Sequence, residues 1–213
     1  EEQAKMAKAV SMALEDGEDL LFEAGTGVGK SLAYLVPAVL FAKSRKRPCV
    51  IATNTISLQE QLLQKDIPAL RKLLGHMPEL EGLSDFRCAL LVGRANYLCS
   101  TRLQRTMMGQ GDLFEGNQRS ELRRIAQWAG EEAKEGIRQE ISPSPRGVVW
   151  DAVNADSSVC SSKRCSPDSC FYRRARAEVD RADLIIVNHS LFFSLMGAGF
   201  GPPDDGEGIL FPN

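Results

Sequence analysis

Residues Ala24 to Ser31 read Ala-Gly-Thr-Gly-Val-Gly-Lys-Ser, a spacing that makes a phosphate cradle. Backbone N–H groups wrap a polyphosphate only where no side chain blocks the approach, and Gly25, Gly27 and Gly29 leave that approach open, with Thr26 and Val28 between them. Lys30 supplies a mobile cation for β- and γ-phosphates, and the Ser31 hydroxyl is placed to hold Mg²⁺. A helix beginning near Lys30 points its positive end at the same anion. The chemistry expected is binding of a nucleoside triphosphate. Ala24 stands where the usual pattern has its first glycine, and that position is the least demanding of the set.

Six cysteines form a second constellation. Cys49 and Cys88 lie in strand-like runs, where a small buried thiol is expected. Cys160, Cys165 and Cys170 are separated by four residues each, and sixty residues lie between Cys99 and Cys160. Four thiols at both ends of a segment with little core of its own suggest a shared metal centre that staples it. A structural zinc usually draws on paired Cys-x-x-Cys knuckles, which are missing here. A disulfide fits poorly with the reducing cytoplasm that a phosphate-binding fold suggests. A four-cysteine iron-sulfur cluster accepts varied spacings and is preferred on the residues alone, with zinc and unliganded cysteines left open. Lys163, Arg164, Arg173, Arg174 and Arg176 crowd this region against Asp168 alone, beside Tyr97, Phe171 and Tyr172. Cations interleaved with rings suit a single-stranded nucleic acid, but on spacing alone a solvated helix face with aromatics shielding a metal is the stronger explanation.

The elements that must position these groups read as α/β. Met6, Val10 and Leu14 share one face of a helix from Gln3 to Asp16 that Gly17 ends. The spacing predicts a strand over Asp19–Glu23 before the glycine loop, then a helix from Lys30 to about Ala42, bent at Pro37. A strand over Cys49–Thr53 leads to a helix start where Ser57 and Glu60 have capping-box spacing. Asp66–Leu74 reads as helix, Gly75–Asp85 as polar loop and Arg87–Val92 as a third strand. Strand and helix in alternation imply a parallel sheet covered on both faces. From Asn96 to about Arg181 no buried strand is expected, and this stretch reads as a mainly helical insertion in which Leu122, Ile125, Trp128 and Ala129 line one helix. The sheet resumes at Leu184–Val187, and a glycine- and proline-rich loop follows Met196.

The chain has 213 residues, 43% of them hydrophobic, and a net charge of −2, so any nucleic-acid surface must be local. The apolar stretch Leu32–Ala42 is too short to span a bilayer, and nothing reads as a signal peptide. The first residue is Glu1, and Ile209 to Asn213 look like the approach to another strand, so a longer protein is expected.

Together the motifs resemble the amino-terminal part of the DinG-like helicases, superfamily 2 relatives of the XPD helicases that carry an iron-sulfur cluster. The matching residues are Glu23 to Ser31, Thr53 to Gln61, Gly93 to Cys99, the Cys160, Cys165 and Cys170 trio with Phe171 and Tyr172, and Val187 to Leu191. The resemblance implies a RecA-like P-loop motor domain over residues 1–98 and 181–213, interrupted by an iron-sulfur insertion over 99–180. It implies ATP, Mg²⁺ and a [4Fe-4S] cluster as cofactors, with Cys99, Cys160, Cys165 and Cys170 as ligands. Gln3 matches the adenine-reading glutamine, Lys30 and Ser31 the phosphate and magnesium residues, and Thr53, Asn54 and Thr55 the segment that touches the DNA backbone. Arg173 and Arg174 are expected to add nucleic-acid contacts, while Asn188 and His189 match a segment of less defined role. The activity implied is ATP-dependent DNA unwinding, 5′ to 3′, in repair or replication. A monomer acting on single strands and fork junctions in the bacterial cytoplasm, at the nucleoid, is expected. The family's Asp-Glu-Ala-His box and second motor domain do not occur in these residues, so this piece by itself is expected to be inactive. The alternatives are a P-loop ATPase with a structural zinc and no unwinding activity, and a binding module using nucleotide as a structural ligand. An exonuclease-fused member of the same family is a further variant.

Overall fold

In a computed structural model, residues 1–25, 27, 29–109, 114, 116–158, 160, 165 and 167–197 are described. Thr26, Val28, Lys163, Arg164, the expected loop beyond Gly197 and the strand-like end at Ile209–Asn213 lie outside them. The chain divides into two compact units, Glu1–Leu91 with Val179–Asn213, and Val92–Glu178.

The first unit opens with α1 (Glu2–Asp16), which Gly17 closes in the left-handed conformation at φ 70. α1 packs against α2 (Lys30–Arg45), which continues through Pro37 and runs three residues beyond the expected end. β1 (Cys49–Thr53), β2 (Cys88–Leu90) and β3 (Leu184–Asn188) form a parallel sheet in the order β1-β3-β2. Val50 and Ala89 flank Ile185 from opposite sides. Leu184, Ile185, Ile186 and Val187 are all fully buried, as an unbroken apolar run must be in a central strand covered on both faces. Leu35, Val39 and Ala42 of α2 pack with Leu184 and Ile186, together with Leu70 and Leu74 of α4 (Ile67–Gly75).

Two expectations for this unit are corrected. Asp19–Glu23 forms no strand: β1 and β2 occupy both edges of β3, none of the three pairs with the segment, and Leu21 is 99% exposed. An apolar run becomes a strand only when a ladder partner takes up its N–H and C=O groups. The helix after β1, α3 (Ile56–Gln61), is capped by Thr55 rather than Ser57, the Leu58 N–H donating to Thr55 Oγ1 at 3.3 Å. Between α3 and α4 lies a π-turn, Leu62–Asp66. Pro68, at the start of α4, has no N–H to continue the tighter ladder.

The second unit is helical, with α5 (Ser100–Met108), α6 (Gly116–Glu131), α7 (Gly147–Val153) and most of α8 (Phe171–Val179). Its described β pairing consists of two antiparallel bridges, Tyr97 with Ile137 and Leu98 with Asn154. Leu122, Ile125 and Trp128 of α6 pack with Leu103, Val149, Trp150 and Val153, the face expected from their spacing. The Trp150 indole N–H donates to the Ala95 carbonyl at 2.8 Å, and Arg102 donates to the carbonyls of Asp151 and Asn154 at the end of α7. α9 (His189–Gly197) follows β3 in the first unit. No described helix is long and apolar enough to cross a membrane.

Candidate functional site

The glycine loop enters α2 through Gly29, whose φ of 76 is a left-handed value. Gly27 has φ 81. L residues with a Cβ adopt such values only under strain, which explains the residue type at both places. Gly29 has a second reason: a Cβ there would stand 2.7 Å from Gln3 Nε2. The Gln3 amide donates to the Gly29 carbonyl at 3.1 Å, so α1 holds the loop through the residue expected to read adenine.

Lys30 is the first residue of α2, and its ammonium donates to the carbonyls of Ala24 and Gly25, at 2.9 Å each. The cation is thus held across the loop's mouth by two neutral acceptors, which an anionic phosphate outcompetes. Ser31 follows in the first turn of α2, with Tyr34 one turn on. Burial raises the Tyr34 pKa, the nearby Ser31 side chain lowers it and Asp66 raises it, leaving the phenol protonated at neutral pH.

At the end of β1, Thr53 is buried and donates from Oγ1 to the Thr55 carbonyl at 3.0 Å, while Asn54 is exposed. Thr53 and Thr55 therefore build the turn and the cap that present Asn54. Asn188, at the end of the neighbouring β3, accepts the Leu191 N–H on Oδ1 at 2.7 Å and so caps α9. The His189 ring lies against Phe193 with centroids 6.4 Å apart, a packing role.

In the second unit, Cys99 immediately precedes α5 and Cys170 immediately precedes α8. Helix amino termini favour thiolates. Ser100 Oγ donates to the Ser169 carbonyl at 3.2 Å, which brings these two helix starts together. Burial pushes the Cys160 thiol up, the Asp156 backbone and Arg94 oppose the rise, and Cys99 and Cys170 add to it, so both lie within electrostatic reach of Cys160. Arg173 donates to the Cys165 carbonyl. Arg174 lies 4.8 Å over the Phe171 ring and donates to the Lys134 carbonyl at 2.5 Å. Arg94, which the basic-residue count overlooked, lies 4.7 Å over the Tyr172 ring, and Tyr172 meets Tyr97 edge to face. Among the described residues, no three His, Cys, Asp or Glu side chains form a single-ion cage. A lone tetrahedral ion with bonds of about 2.3 Å draws its sulfurs to within about 4 Å of one another, whereas a multi-iron cluster, each thiolate on its own iron, spreads them wider. Thiols such as Cys99 and Cys170, at tied helix starts, are donors for either kind of centre.

Cys49 and Cys88 belong to the sheet. Burial pushes their thiols up to about 11 and about 12, Arg71 slightly offsetting the second, so both remain protonated at neutral pH.

A family model described as DEAD/DEAH box helicase matches residues 3–85, which contain the glycine loop and the turn after β1. The ATP-dependent DNA helicase YoaA of Haemophilus influenzae is 34% identical over 213 residues, covering 100% of this chain and 31% of that protein. The chain is similar to the DinG-like helicases. The ATP-dependent helicase DinG of Mycobacterium tuberculosis is 36% identical over 204 residues, 89% of this chain and 30% of its own. YoaA of Escherichia coli is 34% identical over 205 residues, 94% and 30% of the two chains. This DinG-like chain thus spans about three-tenths of the length of the relatives it matches. Its parallel sheet with flanking helices is consistent with a RecA-like motor fold.

Proposed function

We propose that this chain is the nucleotide-binding and cluster-bearing part of an ATP-dependent DNA helicase that unwinds 5′ to 3′ in repair or replication. The observation that carries the reading is the Lys30 ammonium held across the Ala24 and Gly25 carbonyls at the amino end of α2. A triphosphate entering the loop takes that cation from two neutral oxygens and meets the backbone N–H groups at the start of α2. Ser31, in the first turn of α2, is the residue for Mg²⁺, and the ion would neutralise charge on the bound phosphates. Asn54, with Thr53 and Thr55 shaping its turn, is assigned to the DNA backbone, a role suited to short polar donors.

The stretch from Cys99 to Asp180 is read as the insertion, with Cys99, Cys160, Cys165 and Cys170 holding a [4Fe-4S] cluster. When bound, the cluster supplies a structural cross-link, keeping a wedge in shape where the duplex splits. Arg173 and Arg174, each anchored to a protein carbonyl, are assigned to the phosphates of a single strand. The protein is expected to act as a monomer at forks in the bacterial cytoplasm.

The deciding experiment is Lys30→Ala in the full-length protein. DNA-stimulated ATP hydrolysis is expected to fall on the order of a hundredfold or more, with iron content unchanged. Undiminished hydrolysis would refute the phosphate role of the loop. Tailed duplexes read the polarity: unwinding is expected only with a 5′ single-stranded tail.

A further inference from the structure

At the edge of the sheet where β1 and β3 begin, a cleft of about 690 Å³ opens, lined by Lys43, Arg47, Val179, Arg181 and Asp183 among others. It lies at the carboxyl end of α2, whereas the glycine loop lies at the amino end. Sixteen residues at 1.5 Å rise separate the two by about 24 Å, so the cleft is no part of the nucleotide site.

Its charges are unevenly committed. Lys43 pairs with Asp85 at 3.1 Å and Asp183 at 3.3 Å, and Asp183 also accepts the Arg87 N–H at 2.7 Å. Among the described residues, Lys46, Arg47 and Arg181 have no carboxylate partner, and Asp180 has no cation. All four are exposed. Three available cations against one carboxylate select an anion.

The rest of the lining selects its kind. Ala42, Pro48, Val179 and Ala182 supply an aliphatic floor, and among the described residues the lining has no aromatic ring on which a base could stack. Asp180 is an acceptor that a peptide N–H can meet and a phosphodiester backbone, which has no donor, cannot. The guanidiniums of Arg47 and Arg181 can each take a carboxylate with two parallel bonds. The volume suits a few residues of chain. We propose that this cleft binds an acidic peptide segment of a partner protein, its carboxylates on Arg47 and Arg181 and an aliphatic side chain on the Ala42–Pro48–Val179–Ala182 floor.

The test is fluorescence anisotropy with the whole chain at low salt, using a dye-labelled hexapeptide of alternating acidic residues and leucine, with a twelve-nucleotide oligo-dT as competitor. Saturable peptide binding is expected, weakened at least tenfold by Arg47→Glu with Arg181→Glu and unaffected by excess ATP. The oligonucleotide is expected to leave the peptide bound. Arg47→Gln with Arg181→Gln, which adds no negative charge, should weaken binding to a smaller degree while the thermal midpoint stays put. Failure to saturate, equal binding by the substituted chain, or displacement by oligo-dT would each overturn the proposal. None of these results bears on the glycine loop, whose test is ATP hydrolysis.

Discussion

Gly29 joins two constraints at one atom: its backbone sits at φ 76, and the Gln3 amide occupies the place of a side chain. Gly29→Ala is therefore expected to weaken binding of a fluorescent ATP analogue by roughly tenfold, the cost of about 1–2 kcal/mol for a Cβ in the left-handed region. Adding Gln3→Ala removes the 2.7 Å contact but leaves the dihedral strain, so the double substitution should stay impaired. Full recovery in the double substitution would mean that crowding by Gln3, not backbone conformation, sets the requirement. The need for glycine was legible from the motif, because positive φ is a property of the local backbone. The Lys30 bonds to Ala24 and Gly25, and the Gln3 bond across 26 residues, depend on how the loop and α1 are packed. A spacing rule carries no such information.

Elements were legible where their stability is local and misread where it is not. β1 and β3 could be read from β-branched runs, and α6 from a face at helical spacing. Asp19–Glu23 has the apolar content of a strand but no ladder, since pairing is decided by distant residues. Thr55 and Ser57 both offer a capping hydroxyl; only Thr55 has extended dihedrals, φ −129 and ψ 154, which composition does not reveal. The loop between α6 and α7 shows how such non-local fit is enforced. Glu140 accepts the N–H groups of Lys134, Glu135 and Gly136, and Gly136, at φ 72, leaves room for the Phe171 ring. A Cβ there would stand 2.1 Å from Phe171 Cγ, in the residue after Cys170. Gly136→Ala is expected to cost about 2 kcal/mol or more, from the dihedral and the displaced ring together. Urea unfolding followed at Trp128 and Trp150 should show a lower midpoint, while nucleotide affinity, which belongs to the other unit, holds. An unchanged midpoint would show that the ring moves aside without loss.

At the scale of the whole molecule, two cores of unlike origin share one chain. The first gathers α2 and α4 on a parallel sheet, and its central strand is fully buried. The second packs short helices and has two isolated bridges as its described β structure, so less of its order is secured by backbone ladders. Under the proposed assignment, the cluster ties the starts of α5 and α8 and contributes its binding energy as folding energy of that unit alone. Cys165→Ser is then expected to lower iron content and to speed amide exchange at least tenfold across α5, α7 and α8. The amides of β1 and β3 should keep their protection, because opening is local to a cooperative unit. Unchanged iron would remove Cys165 from the ligand set. Iron loss with equal deprotection of β3 would instead mean that both cores open as one, and that the cluster stabilises the motor fold itself.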